Sequence, residues 1–515
     1  MAGQSGDPHR AVTAAPAQPS LGTTASIGIA WLALQNVGTR IIGFVSQIIL
    51  AKILLPSDYG TIALATGAIA IVSSFADFGL EEILVQRQQT MRLWRTAAFW
   101  MSLTIGLVLA VACIAASPFF AMLYGAPAVT GLIVIQALAL PIRQLGTIPS
   151  AAINLALRFD IVARVAFLEL LGLQVLTIAF ATAGCGAYSF ALPVPIIAAA
   201  RTAYLWRLCP QTIGARPFVR RWRHIARRSI ALVGSRILST FSGQADLILL
   251  GIFATTTEAG LYVFAYRLAI QPVRVLAGSI TGVMQSALSR LRNDVHGQTQ
   301  AALRSSRLLA FIVMPTCFIP ILIAEPAIAL LFGERWSATG IVVKAQCIGL
   351  AFFSVSWISG ALVQAQGAFG LDLILEIVFS GCLLLIIGLG VHLAPHARMD
   401  VNIAFAMLTY YVFVQPLYAY VILRRGGATL RQVAVIHLVP ALYASAAVGL
   451  AAWLTSHPVF DAHELLDILV ASSIALTIYV ALLRLFSRDV FGDLVARSRP
   501  LIRKVGRLRL ALGSP

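Results

Sequence analysis

Long apolar stretches, separated by short polar connections, dominate this chain. About 20 apolar residues of α-helix cross the hydrocarbon core of a bilayer, and in lipid only helices or closed barrels satisfy their backbone hydrogen bonds. These stretches are longer than barrel strands, and only 11% of the residues are charged, against about 25% in soluble domains. We therefore predict an all-α polytopic membrane protein with about fourteen transmembrane helices. Their predicted limits are 24–51, 59–83, 97–119, 127–148, 161–183, 187–206, 229–253, 260–288, 306–324, 339–366, 371–394, 401–423, 432–455 and 465–486.

The distribution of arginine predicts how the chain is oriented. The formal net charge is +18, and most arginines lie in connections that follow even-numbered spans. Because positively charged connections stay on the cytoplasmic side, both termini are predicted to be cytoplasmic. Residues 1–23 are predicted to form a disordered tail, since they are rich in small residues and lack an apolar core. The basic segments 207–228 and 487–515 are typical of helices on anionic lipid, so we predict contact with anionic membrane lipids and no nucleic-acid binding.

Three short motifs recur in the same order about 200 residues apart, which indicates an internal repeat. Gly38-Thr-Arg40 recurs as Gly234-Ser-Arg236, Pro56–Ala65 recurs as Thr256–Ala265, and Leu123-Tyr-Gly125 recurs as Leu331-Phe-Gly333. The copies are six spans apart, an even number, so they share one orientation, as parallel transporter repeats do. The predicted organisation is two six-helix lobes, 24–206 and 229–425, joined by 207–228. Two additional helices follow at 426–486.

One apolar run carries a regular stripe of polar residues. Arg267, Gln271, Arg274, Gly278, Thr281 and Gln285 follow one another at steps of four, three, four, three and four. This spacing places them on one face of a helix. Charged residues inside a membrane are costly and usually functional, so the stripe predicts a helix that lines a wet cavity. The alternative is that the arginines snorkel to the interface or form structural pairs.

Other intramembrane polar residues extend this predicted cavity. The predicted substrate-binding residues are Arg40, Gln47, Arg236, Asp246, Arg267, Gln271, Arg274, Gln285 and Lys344. Arg40 and Arg236 are equivalent in the repeat, whereas Gly67 and Ser74 stand where the second copy has Arg267 and Arg274. That asymmetry favours a contact with an anionic head group over an architectural role. For any single charge, a structural pair is an equally good interpretation.

Signatures of catalysis and of cofactor binding are missing from the sequence. It has no phosphate-binding loop and no evident nucleophile with a nearby base. His392 and His396 have metal-ligand spacing but no acidic third ligand close by. The six cysteines are scattered singly, as packed hydrophobic residues are. We predict a non-enzymatic protein with no cofactor, metal or catalytic residue.

Several motifs carry a resemblance to a known family. They are Arg40-Ile-Ile-Gly-Phe through Leu55-Pro-Ser-Asp-Tyr-Gly60, Ala76-Asp-Phe-Gly-Leu80, Leu84-Val-Gln-Arg87, Ala259-Gly-Leu-Tyr262 with Tyr266-Arg267, and Leu331-Phe-Gly-Glu-Arg-Trp336. Together they resemble the polysaccharide-transporter family of Wzx-type flippases, in the MATE-like MOP superfamily. Asn154-Leu-Ala-Leu-Arg158-Phe159 is a weaker match.

The resemblance implies a bacterial inner-membrane transporter. Such a protein moves oligosaccharide linked to undecaprenyl pyrophosphate from the cytoplasmic to the periplasmic face by alternating access. Its product serves exopolysaccharide, capsule or O-antigen synthesis, which implies a polysaccharide polymerase and a chain-length regulator as partners. Arginines suit a pyrophosphate, and Gln, Asn and Ser suit sugar hydroxyls.

Two other functions fit this architecture. A cation-coupled multidrug antiporter of the same superfamily favours acidic, aromatic cavities, whereas this membrane interior is weighted toward arginine. A membrane glycosyltransferase or ligase needs long outer loops that carry chemistry, and the outer loops predicted here are short.

Overall fold

The structure is a computed structural model that describes residues 38–76, 91–156, 158–291, 294–394, 398–456 and 464–496. Within these ranges every regular element is helical. The helices are α1 (38–53), α2 (Pro56–Ala76), α3 (Met91–Leu123), α4 (Ala128–Leu145), α5 (Thr147–Leu155), α6 (Phe159–Thr182), α7 (Tyr188–Ala191), α8 (Pro193–Leu208), α9 (Val219–Phe253), α10 (Thr256–Arg290), α11 (Val295–Phe332), α12 (Gly340–Gln366), α13 (Phe369–Leu393), α14 (Met399–Thr409), α15 (Gln415–Leu423), α16 (Leu430–Thr455), α17 (Glu464–Phe486) and α18 (488–496). A 3₁₀ turn, Glu334–Thr339, precedes α12, and a π turn, Tyr410–Val414, joins α14 to α15.

Ten helices in the described ranges are long and apolar enough to cross a membrane. They coincide with ten of the fourteen predicted spans, which confirms the polytopic, all-helical membrane fold. The other four predicted spans, 24–51, 187–206, 229–253 and 260–288, fall on α1, α8, α9 and α10. Residues 1–37, 77–90 and 497–515 lie outside the described ranges, and with them the predicted tail, parts of the first two spans, most of two family motifs and most of the basic C-terminal segment.

Local sequence explains why three of these helices, α8, α9 and α10, are less apolar or shorter. Pro193 begins a new helix after α7, which leaves α8 with 16 residues. Helix α9 begins at Val219, inside the predicted basic linker, and runs without a break into the predicted seventh span. Within its described residues, Ile237–Phe253 forms a shorter apolar segment, which is interrupted by polar residues such as Asp246. Helix α10 carries the predicted polar stripe along its length.

Helices α2 and α10, which contain the second pair of repeated motifs, pack directly against one another. They cross at Gly60 and Gly260, the two glycines that the repeat aligns. A Cβ on Gly60 would overlap the carbonyl oxygen of Thr256, and a Cβ on Gly260 would overlap that of Pro56. Only glycine permits this approach at either position.

The third pair of repeated motifs also makes contacts between the two copies. Tyr124 of the first copy packs on Gly251 of α9, where an added Cβ would lie 2.5 Å from the ring. In the second copy, Trp336 donates its indole N–H to the carbonyl of Ala51 in α1 at 2.9 Å. Ala51 precedes Gly60 by as many residues as Gly251 precedes Gly260. The contacts between the copies are therefore reciprocal.

An aromatic cluster lies beside this crossing. Trp336 is fully buried, stacks on Phe264 with ring centroids 4.0 Å apart, and meets Tyr59 edge-on at 5.2 Å. Tyr59 also contacts the ring of Phe190 in α7 at 5.0 Å. We call Tyr59, Phe190, Phe264 and Trp336 the aromatic seal, because it ties α2, α7, α10 and the 3₁₀ turn together.

A capped helix start fixes α10 at the same end. Glu258 accepts hydrogen bonds from the N–H and hydroxyl of Thr255, and from the N–H of Met399 at the start of α14. Partial burial raises the pKa of Glu258, but these hydrogen bonds and nearby Arg398 lower it further, so the net pKa lies below its ordinary value. The carboxylate therefore holds the beginnings of α10 and α14 together.

Candidate functional site

A cavity of about 500 Å³ lies between α1, α2, α6, α7 and α10. Among the residues that line it are five of the predicted set: Arg40, Gln47, Arg267, Gln271 and Arg274. Arg267 and Arg274 enter from the polar stripe of α10, and Arg40 and Gln47 enter from α1. We call this space the arginine cavity. The stripe and the first span, which are about 220 residues apart in sequence, thus converge on one site.

Among the described residues, three guanidinium groups line the arginine cavity and no carboxylate does. None of the three arginines forms an ion pair with any residue of the described ranges. The guanidinium of Arg267 instead lies 5.8 Å from the ring centroids of Tyr59 and Phe190. Such cation–π contacts stabilise the charge by about 1–2 kcal/mol when it is desolvated, without neutralising it.

The amide groups of the arginine cavity complement its positive charge. Gln47 presents a buried Nε2 that has no hydrogen-bond partner within the described residues. Gln271 lies one turn from Arg267 and from Arg274, and Gln174 of α6 faces them across the space. An unsatisfied buried donor beside cationic groups favours an oxygen-rich anion as the ligand.

Asp246, another predicted residue, lies in a different cavity of about 320 Å³ between α9, α10, α12, α13 and the α14–α15 segment. Its Oδ2 accepts from the hydroxyl of buried Tyr262 at 2.8 Å, and its Oδ1 accepts from the N–H of Leu247 at 2.9 Å. Glu376 of α13 is the second carboxylate there, and none of the described residues that line the space is Lys or Arg. We call it the aromatic cavity, because seven of its lining residues have aromatic rings: Tyr266, Phe353, Trp357, Phe379, Tyr410, Tyr411 and Tyr418.

Two other predicted residues, Lys344 and Gln285, do not line either cavity. Lys344 donates to Glu325 at 2.6 Å, and Gln285 donates to Gln364 at 2.9 Å. The side chain of Arg236 lies outside the described part of the structure. For Lys344 the geometry is that of a structural pair, the alternative that the sequence left open.

Two further intramembrane charges are also paired. Arg164 binds Asp160, one turn earlier in α6, and Glu169 accepts from Arg201 of α8 at 3.1 Å. These pairs leave the arginine cavity as the place where unpaired positive charge collects in the described ranges.

Sequence reasoning missed the aromatic partners of Arg267 and the whole aromatic cavity. Tyr59 and Phe190 are far from Arg267 in sequence, so no local periodicity connects them. The aromatic residues of this cavity are only a weak signal in the sequence. Phe353 and Trp357 are one turn apart in one predicted span, and Tyr410, Tyr411 and Tyr418 lie two predicted spans later. Aromatic residues at such spacings are common in apolar helices and do not by themselves indicate a cavity.

A family profile described as "Polysaccharide biosynthesis protein" matches residues 49–340, which is more than half of the chain. The chain belongs to this family. The match confirms the family resemblance found in the motifs around Gly60, Tyr262 and Trp336.

Curated relatives carry related names. The chain is 26% identical over 318 residues to the succinoglycan biosynthesis transport protein ExoT of Rhizobium meliloti, an alignment that covers 61% of this chain and 64% of that protein. It thus spans just under two thirds of that relative's length. It is 21% identical over 402 residues to the lipopolysaccharide biosynthesis protein WzxC of Escherichia coli, which covers 76% of this chain and 80% of that one.

Two solved structures have folds similar to that of this chain. The chain is similar to the lipid II flippase MurJ, with a TM-score of 0.72 and 14% identity over 89% of this chain and 99% of that chain. It is also similar to a multidrug resistance MATE transporter of the MOP superfamily, with a TM-score of 0.57 and 17% identity over 76% and 96% of the two chains. These likenesses show that the chain shares the fold of these two proteins.

Proposed function

We propose that this protein is a flippase that moves lipid-linked oligosaccharide units from the cytoplasmic to the periplasmic face of the bacterial inner membrane for polysaccharide biosynthesis. The observation that carries the proposal is the arginine cavity, where three guanidinium groups converge and none of the described lining residues is a carboxylate. A pyrophosphate that links a sugar chain to a lipid supplies the missing negative charge and accepts bidentate hydrogen bonds. The names of the relatives, which concern succinoglycan transport and lipopolysaccharide biosynthesis, support this substrate class.

The proposed mechanism is alternating access between two lobes, 24–206 and 229–425, in a chain of fourteen spans with both termini in the cytoplasm. Two additional helices within 426–486 complete the spans, and the basic segments 207–228 and 487–515 lie on the anionic inner leaflet. The reciprocal contacts at Gly60 and Gly260 support a two-fold relation between the lobes. In this orientation the crossing and the aromatic seal lie at the periplasmic end. The head group then moves through the protein, while the lipid tail stays in the bilayer.

Partners follow from the same proposal. The flipped unit must be consumed at the periplasmic face, so a polysaccharide polymerase and a chain-length regulator are the proposed partners. The protein itself acts as a transporter and makes or breaks no covalent bond.

Arg274→Ala tests the proposed role of the cavity. Loss of one charge-assisted hydrogen-bonding group costs about 1.5–3 kcal/mol, so export should fall roughly 10- to 100-fold with unchanged protein level. The measurement is complementation of a deletion strain, with lipid-linked oligosaccharide quantified on the cytoplasmic face. Lys344→Ala is the matched control, since Lys344 lies outside the cavity, and it should export normally.

Two results contradict the proposal. One is a deletion strain in which lipid-linked oligosaccharide does not accumulate on the cytoplasmic face. The other is an Arg274→Ala protein that disappears from the membrane, which would identify a structural arginine.

A multidrug/cation antiporter remains the second candidate, because the aromatic cavity is a specific observation in its favour. Two carboxylates among aromatic rings are the surroundings that organic cations prefer. Efflux of a cationic dye from cells that express the protein tests this function. Dye efflux that Asp246→Asn abolishes, with no effect of Arg274→Ala, would favour the antiporter over the flippase.

A further inference from the structure

The aromatic cavity has no part in binding a pyrophosphate, yet it combines two kinds of surface in one space. One is aromatic, with Trp357 and Phe353 half-buried on α12 at 5.8 Å between ring centroids. The other is rich in hydroxyl, amide and carboxylate groups, among them Ser239, Ser356 and Glu376. A volume of about 320 Å³ is at the small end of the range for small-molecule sites, about 300–1,000 Å³.

This combination matches the chemistry of a sugar ring. The C–H face of a pyranose is apolar and stacks on an indole or phenyl ring, whereas its rim carries hydroxyls that both donate and accept. Serine and tyrosine hydroxyls and the amide of Gln415 can play both roles. The carboxylates of Asp246 and Glu376 supply strong acceptors for neighbouring hydroxyls.

The surroundings of Asp246 favour a neutral ligand over a metal ion. Both of its oxygens already accept hydrogen bonds, one from Tyr262 and one from the backbone of Leu247. Within the described residues no group of three or more His, Cys, Asp or Glu side chains could hold a metal ion. Each carboxylate oxygen keeps a second lone pair for a ligand hydroxyl, and the rest of the cavity offers hydroxyl and aromatic surface.

The aromatic cavity also lies beside the arginine cavity, with α10 between them. Tyr266 lines the aromatic cavity, and Arg267, the next residue, lines the arginine cavity. Arg274 interacts with the hydroxyl of Tyr266, so the two spaces share a polar contact. One turn further along α10, a Cβ on Gly278 would lie 4.0 Å from the ring of Trp357. The absence of a side chain at Gly278 keeps that ring accessible from the stripe.

We infer that the aromatic cavity is a sugar subsite, which holds part of the oligosaccharide whose pyrophosphate occupies the arginine cavity. The inference rests on the proposed flippase function and adds a location for the glycan. Trp357 is the stacking residue, and Asp246 and Glu376 accept hydrogen bonds from the sugar hydroxyls. The two cavities then recognise the two chemically different parts of one substrate.

Separate probes for the two cavities test this inference on the purified full-length chain. Saturation-transfer NMR measures binding of the neutral oligosaccharides maltotriose, lactose and triacetylchitotriose, and calorimetry measures binding of inorganic pyrophosphate. Trp357→Ala should weaken oligosaccharide binding about tenfold and leave pyrophosphate binding unchanged. Arg274→Ala should weaken pyrophosphate binding and leave oligosaccharide binding largely intact.

Two further variants guard against a folding artefact. Trp357→Phe retains a ring and should restore most of the oligosaccharide binding. Phe405→Ala removes an exposed ring from α14, outside both cavities, and should bind both probes normally.

The outcomes separate the two proposals. If none of the oligosaccharides binds, or if they bind equally well to Trp357→Ala, the sugar subsite is wrong, while normal pyrophosphate binding would keep the flippase proposal. If pyrophosphate does not bind to the wild-type chain, the flippase proposal is wrong, and the sugar subsite loses its basis with it. If tetramethylammonium binds in a Trp357-dependent way and the oligosaccharides do not, the cavity is a cation site.

Discussion

At the scale of single residues, Arg267 is the most informative side chain of the molecule. An arginine inside a membrane costs about 2.5–3.5 kcal/mol on insertion scales, and here two aromatic rings, with no carboxylate, offset part of that cost. Lysine keeps the charge but lacks the planar group that stacks on rings and binds phosphate in a bidentate way. Arg267→Lys should therefore lower export about tenfold without loss of protein. Complementation with immunoblotting measures this, and Lys344→Arg is the control that should export normally. Full export by Arg267→Lys would show that charge alone suffices.

Helical periodicity was enough to predict which residues share one face of a helix, whereas their role in substrate binding stays a prediction. Arg267, Gln271 and Arg274 do line one cavity, because their spacing along a single helix fixes which face they share. Lys344 and Gln285 line no cavity, because their partners Glu325 and Gln364 are on other helices. Which helices pack against each other depends on tertiary structure, and the periodicity of a single sequence does not predict it.

At the scale of helices, the crossing of α2 and α10 depends on two glycines. Because an added methyl group at either position would overlap a backbone carbonyl, the helices would have to separate. We expect Gly60→Ala and Gly260→Ala each to destabilise the protein by about 1–3 kcal/mol or more, the usual cost of overpacking. The change is measured as a shift in the thermal unfolding temperature of the purified protein, with size-exclusion chromatography as the readout of folded protein. Gly388→Ala on α13 meets nothing within 4 Å and should be neutral or slightly stabilising. Equal stability of all three variants would contradict the close crossing.

Helix positions could be predicted better than helix continuity. Ten predicted spans coincide with apolar helices, since twenty apolar residues in a row have few other structures available. The long α9 was not foreseen as one element, because its first half is basic and its second half apolar. Hydropathy registers that change of composition, whereas the backbone hydrogen bonds of the helix continue through it.

At the scale of the whole molecule, the internal repeat was the most productive signal in the sequence. It aligned Gly60 with Gly260 and Tyr124 with Phe332 before any contact was known. Gly60, Gly260 and Tyr124 do contact the other copy, whereas Phe332 contacts Phe264 of its own copy. The repeat did not reveal the aromatic seal, because Trp336 and Phe190 come from segments without a matching aromatic partner in the other copy. The symmetric contacts were therefore predictable, and the asymmetric ones were not.

The aromatic seal gives the last prediction, which concerns access to the arginine cavity. In the proposed orientation, buried Trp336 blocks the periplasmic end by packing on Phe264 and bonding to Ala51. Trp336→Ala removes the stacked ring and the indole donor, so the closed end should open more often.

The reporter is Gln174→Cys in the cavity wall, in a background without the six native cysteines. A membrane-impermeant thiol reagent added to the periplasmic side should label it several-fold faster when Trp336 is Ala, and Trp336→Phe should label at an intermediate rate. Unchanged labelling with Trp336→Ala would show that the glycine crossing alone closes this end. Faster labelling from the cytoplasmic side instead would reverse the proposed orientation.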